Sequence, residues 1–225
     1  MKKITIGPYF AFFEKKTTLK SIRLRFDKQG HLILTAPVFC SEKDAVSFAL
    51  QHITWIEKHI NSAITTMRFK NNDVVSILGK NYLIYHNPLH KKGIMTHNNQ
   101  IIVGGESDFL HRRITTYAKE EFYRYAQSKA LQMASQLQVT IQRITLKNSS
   151  SRWGSCSSLN NINLCWKLVF APIDVIDYVI AHEVAHLKEM NHSPKFWAVV
   201  SQLNVRQADA QIWLRKNGKT IQSIE

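Results

Sequence analysis

His182, Glu183 and His186 form an H-E-x-x-H sequence, and His192 follows six residues after the second histidine. Four residues make slightly more than one helical turn. On a helix, His182 and His186 therefore share a face and sit about 6 Å apart along the axis. One cation fits between two such imidazoles, and His192 adds a third nitrogen. Glu183 lies about 100° round the helix, where its carboxylate takes a proton from a metal-bound water. Neutral imidazoles with one coordination position left for water are the donor set of a catalytic zinc site. The expected cofactor is Zn2+, with His182, His186 and His192 as ligands and Glu183 as general base. Glu189 is the competing third ligand. On a straight helix it lies a turn past His186, about 7 Å too far along the axis, which favours His192.

Negative charge developing on a carbonyl or phosphoryl oxygen needs a donor besides the metal. Arg152, in a stretch of small polar residues ahead of the motif, and Tyr178, one turn before His182 on its face, are the catalytic candidates for that role. Trp153 reads as packing, and Gly154 either as a place of close approach for a substrate backbone or as a bulge. The other histidines, at 31, 52, 59, 86, 90, 97 and 111, are scattered and read as structural.

These groups need a helix beneath them. Val179, Ile180, Ala181, Val184, Ala185 and Leu187 are uncharged, as a buried helix requires. Pro172 starts it, with Asp174 and Asp177 near its positive end. The chain turns back at Ser193-Pro194, the cap and first-turn proline of a second helix whose Phe196, Trp197, Val200 and Leu203 face a core. A last helix covers residues 206–216. Upstream, a long amphipathic helix over residues 107–136 carries Leu110, Ile114, Ala118, Phe122 and Leu131 at apolar positions, and Arg112, Arg113, Lys119, Arg124 and Lys129 on what reads as a solvated face. Residues 139–146 and 163–170 read as strands.

The first 105 residues are β-rich. Residues 21–26 alternate apolar and basic, and 31–34 return after a turn at 27–30. Hairpin signals stand at Gly79-Lys80-Asn81 and Asn98-Asn99. One helix runs from a Ser41–Asp44 capping box to about Asn61. Gly104-Gly105 marks the boundary. The expected architecture is α+β, with a β-rich N-terminal region over 1–105 and a catalytic region with an active-site helix over 106–225. No internal repeat is visible.

Composition narrows the setting. The 225 residues are 44% hydrophobic and carry a formal net charge of +14. That charge favours anionic partners, so nucleic acid is a candidate partner for the basic surface. No apolar run approaches the roughly 20 residues that span a bilayer, so no membrane insertion is expected. The three cysteines, Cys40, Cys156 and Cys165, lack paired metal spacing and point to reduced thiols in a cytoplasmic protein.

Arg152-Trp153-Gly154-Ser155-Cys156, Ala171-Pro172, Asp177-Tyr178-Val179, His182-Glu183-x-x-His186-Leu187 and His192-Ser193-x-x-Phe196-Trp197 together resemble the YgjP-like metallopeptidase family. Leu24-x-Phe26, Ala36-Pro37 and Trp55-Ile56 extend the resemblance toward the N-terminus. It implies a zincin-like catalytic region, a bound zinc, and residues 182, 183, 186 and 192 in ligand and catalytic roles. The expected function is a zinc-dependent hydrolase, a metallopeptidase cleaving peptide bonds. Two alternatives stand beside it. One is a zinc-dependent nucleotide phosphoanhydride hydrolase, with Arg23, Arg25 and Arg152 toward phosphates. The other is a non-enzymatic nucleic-acid-binding module with a structural zinc, which would ordinarily show four protein ligands.

Overall fold

A computed structural model describes residues 1–27, 30–61, 67–91, 93–203 and 205–225, with the backbone alone at 58, 59 and 61. The chain is α+β. It packs as two units, Met1–Thr65 and Thr66–Glu225.

In the first unit, β1 (Lys2–Ile6), β2 (Tyr9–Lys16), β3 (Arg23–Phe26) and β4 (Leu32–Pro37) form a sheet of order β1-β2-β4-β3. The central pair β2–β4 is parallel and the outer pairs are antiparallel. Arg23 and Arg25 share the exposed face of β3, as the alternation requires, and Arg25 stands 3.8 Å from Glu14. The turn expected at 27–30 includes residues 28 and 29, outside the described residues. Ser41 caps α1 (Glu42–Gln51) by accepting from the Asp44 N–H. The single helix expected here is two, because α2 (Ile53–Asn61) begins after a break at His52. The His52 ring bonds the Phe48 carbonyl at 2.9 Å, and its backbone leaves helical geometry. The apolar stripe continues across the break to Ile56, so the residue pattern alone reads as one helix.

The second unit starts with β5 (Val74–Ile77), β6 (Lys80–Asn87), β7 (Gly93–His97) and β8 (Gln100–Gly104), in the order β5-β6-β8-β7. Its central pair is again parallel and its outer pairs antiparallel. The two four-stranded sheets thus share one connectivity, a structural repeat with no counterpart in the residue pattern. Leu78 and Gly79 both have positive φ, as do Asn98 and Asn99, which is the backbone of a two-residue type I′ hairpin. The first of these turns lies one residue ahead of its expected place. Val75, Ile77, Ile84, Ile101 and Val103 enter the same core as Leu110, Ile114 and Phe122. For that reason the packing does not divide at residue 105.

On α3 (Leu110–Leu137) every fourth residue from Leu110 to Ala134 is buried, and four of the seven are alanines. This narrow stripe lets α4 (Ile173–Ala185), the helix of the motif, pack closely against it. Leu131 is exposed rather than core. Lys129 is not simply solvated: its Nζ lies 2.7 Å from Asp177 on α4, and the Tyr125 hydroxyl donates to the same carboxylate. These two bonds set the rotation of α4 on α3. Asp177→Ala strands both partners and is expected to lower the unfolding free energy by about 1–3 kcal/mol, read by urea titration.

A three-stranded sheet of order β10-β11-β9 packs against α4, formed by β9 (Arg143–Lys147), β10 (Gly154–Cys156) and β11 (Asn161–Cys165). Among the described residues no strand pairs with the outer edge of β10. Residues 166–170, expected as strand, form a 3-10 turn in which all five side chains are buried. The run is apolar except for Lys167, whose Nζ donates to the Gln222 carbonyl at 2.7 Å, and it carries no period to distinguish the two. Two helices complete the unit, α5 (Pro194–Gln202) and α6 (Gln207–Gln222). α6 runs six residues beyond its expected end, through Gly218.

Candidate metal centre

His182 sits in the last turn of α4, and His186 occupies the capping position just after it. The chain then tightens, with the Leu187, Lys188 and Glu189 N–H groups bonding Val184 and Ala185 carbonyls. The helix therefore ends sooner than the break expected at Ser193-Pro194. This early end swings His192 back over the helix terminus. Ser193 then accepts from the Phe196 N–H and starts α5, with Pro194 in its first turn.

The three imidazoles form a nearly equilateral cluster, with ring centroids 5.0 Å apart for His182–His186, 4.9 Å for His182–His192 and 4.8 Å for His186–His192. Their donor atoms lie within 4.8 Å of one another. Phe196, fully buried, is the floor beneath all three, its ring 4.9, 4.6 and 4.7 Å from His182, His186 and His192. The His186 Nδ1 is 3.0 Å from the Glu189 carbonyl. A carbonyl only accepts, so Nδ1 carries the proton and Nε2 is left bare for a cation. Glu189 thus acts on the site through its backbone, and its carboxylate is not part of the cluster. The Nε2 atoms of His182 and His192 face each other at 2.9 Å, an arrangement that one shared proton or one shared cation must mediate. Burial, and then the neighbouring His186 and His192, hold His182 down to a pKa of about 4, so it stays neutral as a ligand must.

Glu183 is 5% exposed, and its carboxylate lies over Gly154 of β10. A Cβ on Gly154 would stand 2.4 Å from Glu183 Oε1 and 2.7 Å from Cδ. Glycine is required there so that the carboxylate can close on the strand, which the residue pattern did not reveal. Burial raises the Glu183 carboxyl to about 7, against the opposing pull of Arg152. Cys156, in the same hollow as the triad, has its thiol pushed up to about 11 by burial and by Glu183. All three cysteines are free.

His182, Glu183, His186 and His192 line one hollow of about 260 Å³. Tyr178 and Arg152 do not line it. Tyr178 opens into an adjoining cavity, where its hydroxyl accepts from Gln211 at 2.9 Å and its ring is 6.1 Å from that of His182. Burial holds its hydroxyl protonated. Arg152 is exposed in a separate polar recess with Ser149 and Asn163, close enough for its charge to act on Glu183. Trp153 does more than pack in a core. Its indole walls the cavity beside the motif and lies against α6 at Gly218, where a Cβ would meet Cζ2 at 3.0 Å.

Three clustered histidines thus stand at a helix terminus, with a buried carboxylate beside them under an edge strand. The YgjP-like, metallopeptidase domain family model matches residues 20–217, and the chain belongs to that family. The chain is also similar to a solved structure, the metallopeptidase zymogen of Pyrococcus abyssi abylysin, at 19% identity and a TM-score of 0.37, over 42% of this chain and 93% of that one. No curated protein matches it. A metallopeptidase family implies a divalent metal, and the residues present fit one: one ring nitrogen from each of three histidines lies within 4.8 Å of the others. Among the described residues, no helix is long and apolar enough to cross a membrane.

Proposed function

We propose that the chain is a zinc-dependent peptidase with His182, His186 and His192 as metal ligands and Glu183 as general base. The observation that carries this reading is the placement of a buried carboxylate beside three converging imidazoles and directly under an edge strand. Zinc held there supplies a Lewis acid and an acidified water. Glu183 takes a proton from the attacking water and returns it to the leaving amine, and its burial holds it near the affinity that both transfers need. The outer edge of β10 offers free backbone groups to an extended peptide, which lies along it as an added strand. Tyr178 accepts from Gln211 and keeps its own proton to donate toward the developing oxyanion. Arg152 adds positive potential from outside the hollow.

The test is to load the purified protein with zinc and offer it unfolded proteins and nucleoside triphosphates in parallel. Peptide cleavage with no phosphate release is expected. Phosphate release alone would transfer the site to nucleotide hydrolysis. Salt-sensitive nucleic-acid binding without turnover of either would make it a binding module.

Gly154→Ala tests the geometry. The added methyl displaces Glu183, and a misplacement near 1 Å costs on the order of 10²-fold in rate. Peptidase activity is expected to fall by about that factor with zinc content unchanged, measured by a quenched-peptide assay alongside metal analysis.

A further inference from the structure

Two hollows meet at the ridge formed by Gly154, His182 and Glu183. One holds the histidine triad. The other is a larger cavity of about 400 Å³, and its remaining walls are Trp153, Tyr178, Val179 and Leu214, with the Gln211 amide and Arg215. The reaction described above uses the Tyr178 hydroxyl on its wall and leaves the rest of this space unfilled.

Its walls say what it takes. Val179 of α4 and Leu214 of α6 present aliphatic surface, and Trp153 presents an indole face. The Gln211 amide donates to the Tyr178 hydroxyl, which leaves that hydroxyl one proton to donate. A cavity of this size with mostly apolar walls and few convergent polar groups is the kind that buries an apolar ligand group. Among the described residues, Arg215 is the only lysine or arginine on its wall, and its fixed positive charge disfavours a cationic side chain. Trp153 is held in place because Gly218 lets the indole lie against the helix backbone, so the wall is preformed.

We propose that this cavity is the specificity pocket of the enzyme and that it receives one large, uncharged apolar side chain, aromatic or aliphatic, of the residue next to the bond being cut. Because Glu183 and His182 belong to both hollows, a side chain seated in the cavity places its own backbone at the triad. Trp153 and Leu214 are then specificity-determining residues, Trp153 as the fixed wall and Leu214 as the adjustable one. This inference rests on the peptidase reading above.

The experiment is a cleavage-site profile. Zinc-loaded wild type, Leu214→Trp and Leu214→Ala are each incubated with a denatured-protein digest, and the cut ends are sequenced by mass spectrometry. Zinc content and thermal unfolding are recorded for each. Wild type is expected to show Leu, Met, Phe or Trp enriched at one fixed position beside the cut, with Lys and Arg depleted there. Leu214→Trp fills the cavity and should lower kcat/KM for a reporter peptide with Phe at that position by about tenfold relative to its Ala counterpart. Leu214→Ala should shift preference toward Trp. If wild type cleaves peptides with no apolar enrichment at any flanking position, or if the enrichment is the same in both folded variants, the pocket assignment fails and the peptidase reading stands. If zinc-loaded wild type cleaves no peptide, both fail together.

Discussion

Glu183→Gln is expected to lower kcat for peptide cleavage by about 10²–10⁴-fold, the range of a lost general base, with zinc content equal to wild type. The amide keeps the size of the carboxylate and its fit over Gly154, but it cannot take a proton. The stability readout separates this role from a structural one. Glu183 is 5% exposed, and among the described residues no side chain pairs with it in a salt bridge. A charge left in that position disfavours the folded state, so the neutral amide should leave the thermal midpoint unchanged or raise it. If instead the variant unfolds at markedly lower temperature and loses zinc, Glu183 is a structural partner and the lost rate says nothing of proton transfer.

The second large effect is expected at a residue that touches no substrate. Phe196 is fully buried and its ring lies within 4.6–4.9 Å of all three histidine rings. Phe196→Ala opens a cavity under the cluster and should cost about 3–5 kcal/mol of stability. The imidazoles lose the floor that fixes their tilt, and zinc affinity should fall by about 10–100-fold, as when other groups that orient ligands are removed. Phe196→Leu refills most of the volume. It should recover much of the stability and some of the affinity, measured by urea titration and by chelator competition.

Much of the site was legible because its signals are local. Two histidines one turn apart, a carboxylate beside the first, and a Ser-Pro cap after His192 each follow from spacing along a single segment. The α+β class and the Asn98-Asn99 hairpin were legible for the same reason. What escaped depends on partners distant in sequence. Gly154 is fixed by Glu183, Gly218 by Trp153, and the Tyr178 hydroxyl by Gln211, contacts that no local pattern encodes. Lys129 and Tyr125 resembled ordinary positions of an amphipathic helix until Asp177 arrived from α4. The shared connectivity of the two four-stranded sheets rests on parallel pairing between strands that are not consecutive, which leaves no periodic trace. At residues 166–170 the sequence offered an apolar run broken only by Lys167, and complete burial suits a 3-10 turn as well as a strand.

In the proposed function, three histidines hold a metal with room left for chemistry. Cys156 lines the same hollow, so a sulfur ligand is the arrangement that would close the site. X-ray absorption at the zinc edge of the stoichiometrically loaded protein distinguishes the two. The expected result is one zinc per chain with only nitrogen and oxygen neighbours, lost on His192→Ala and unchanged in Cys156→Ser. A sulfur neighbour that disappears in Cys156→Ser, or a wild-type chain that retains no zinc, would contradict it.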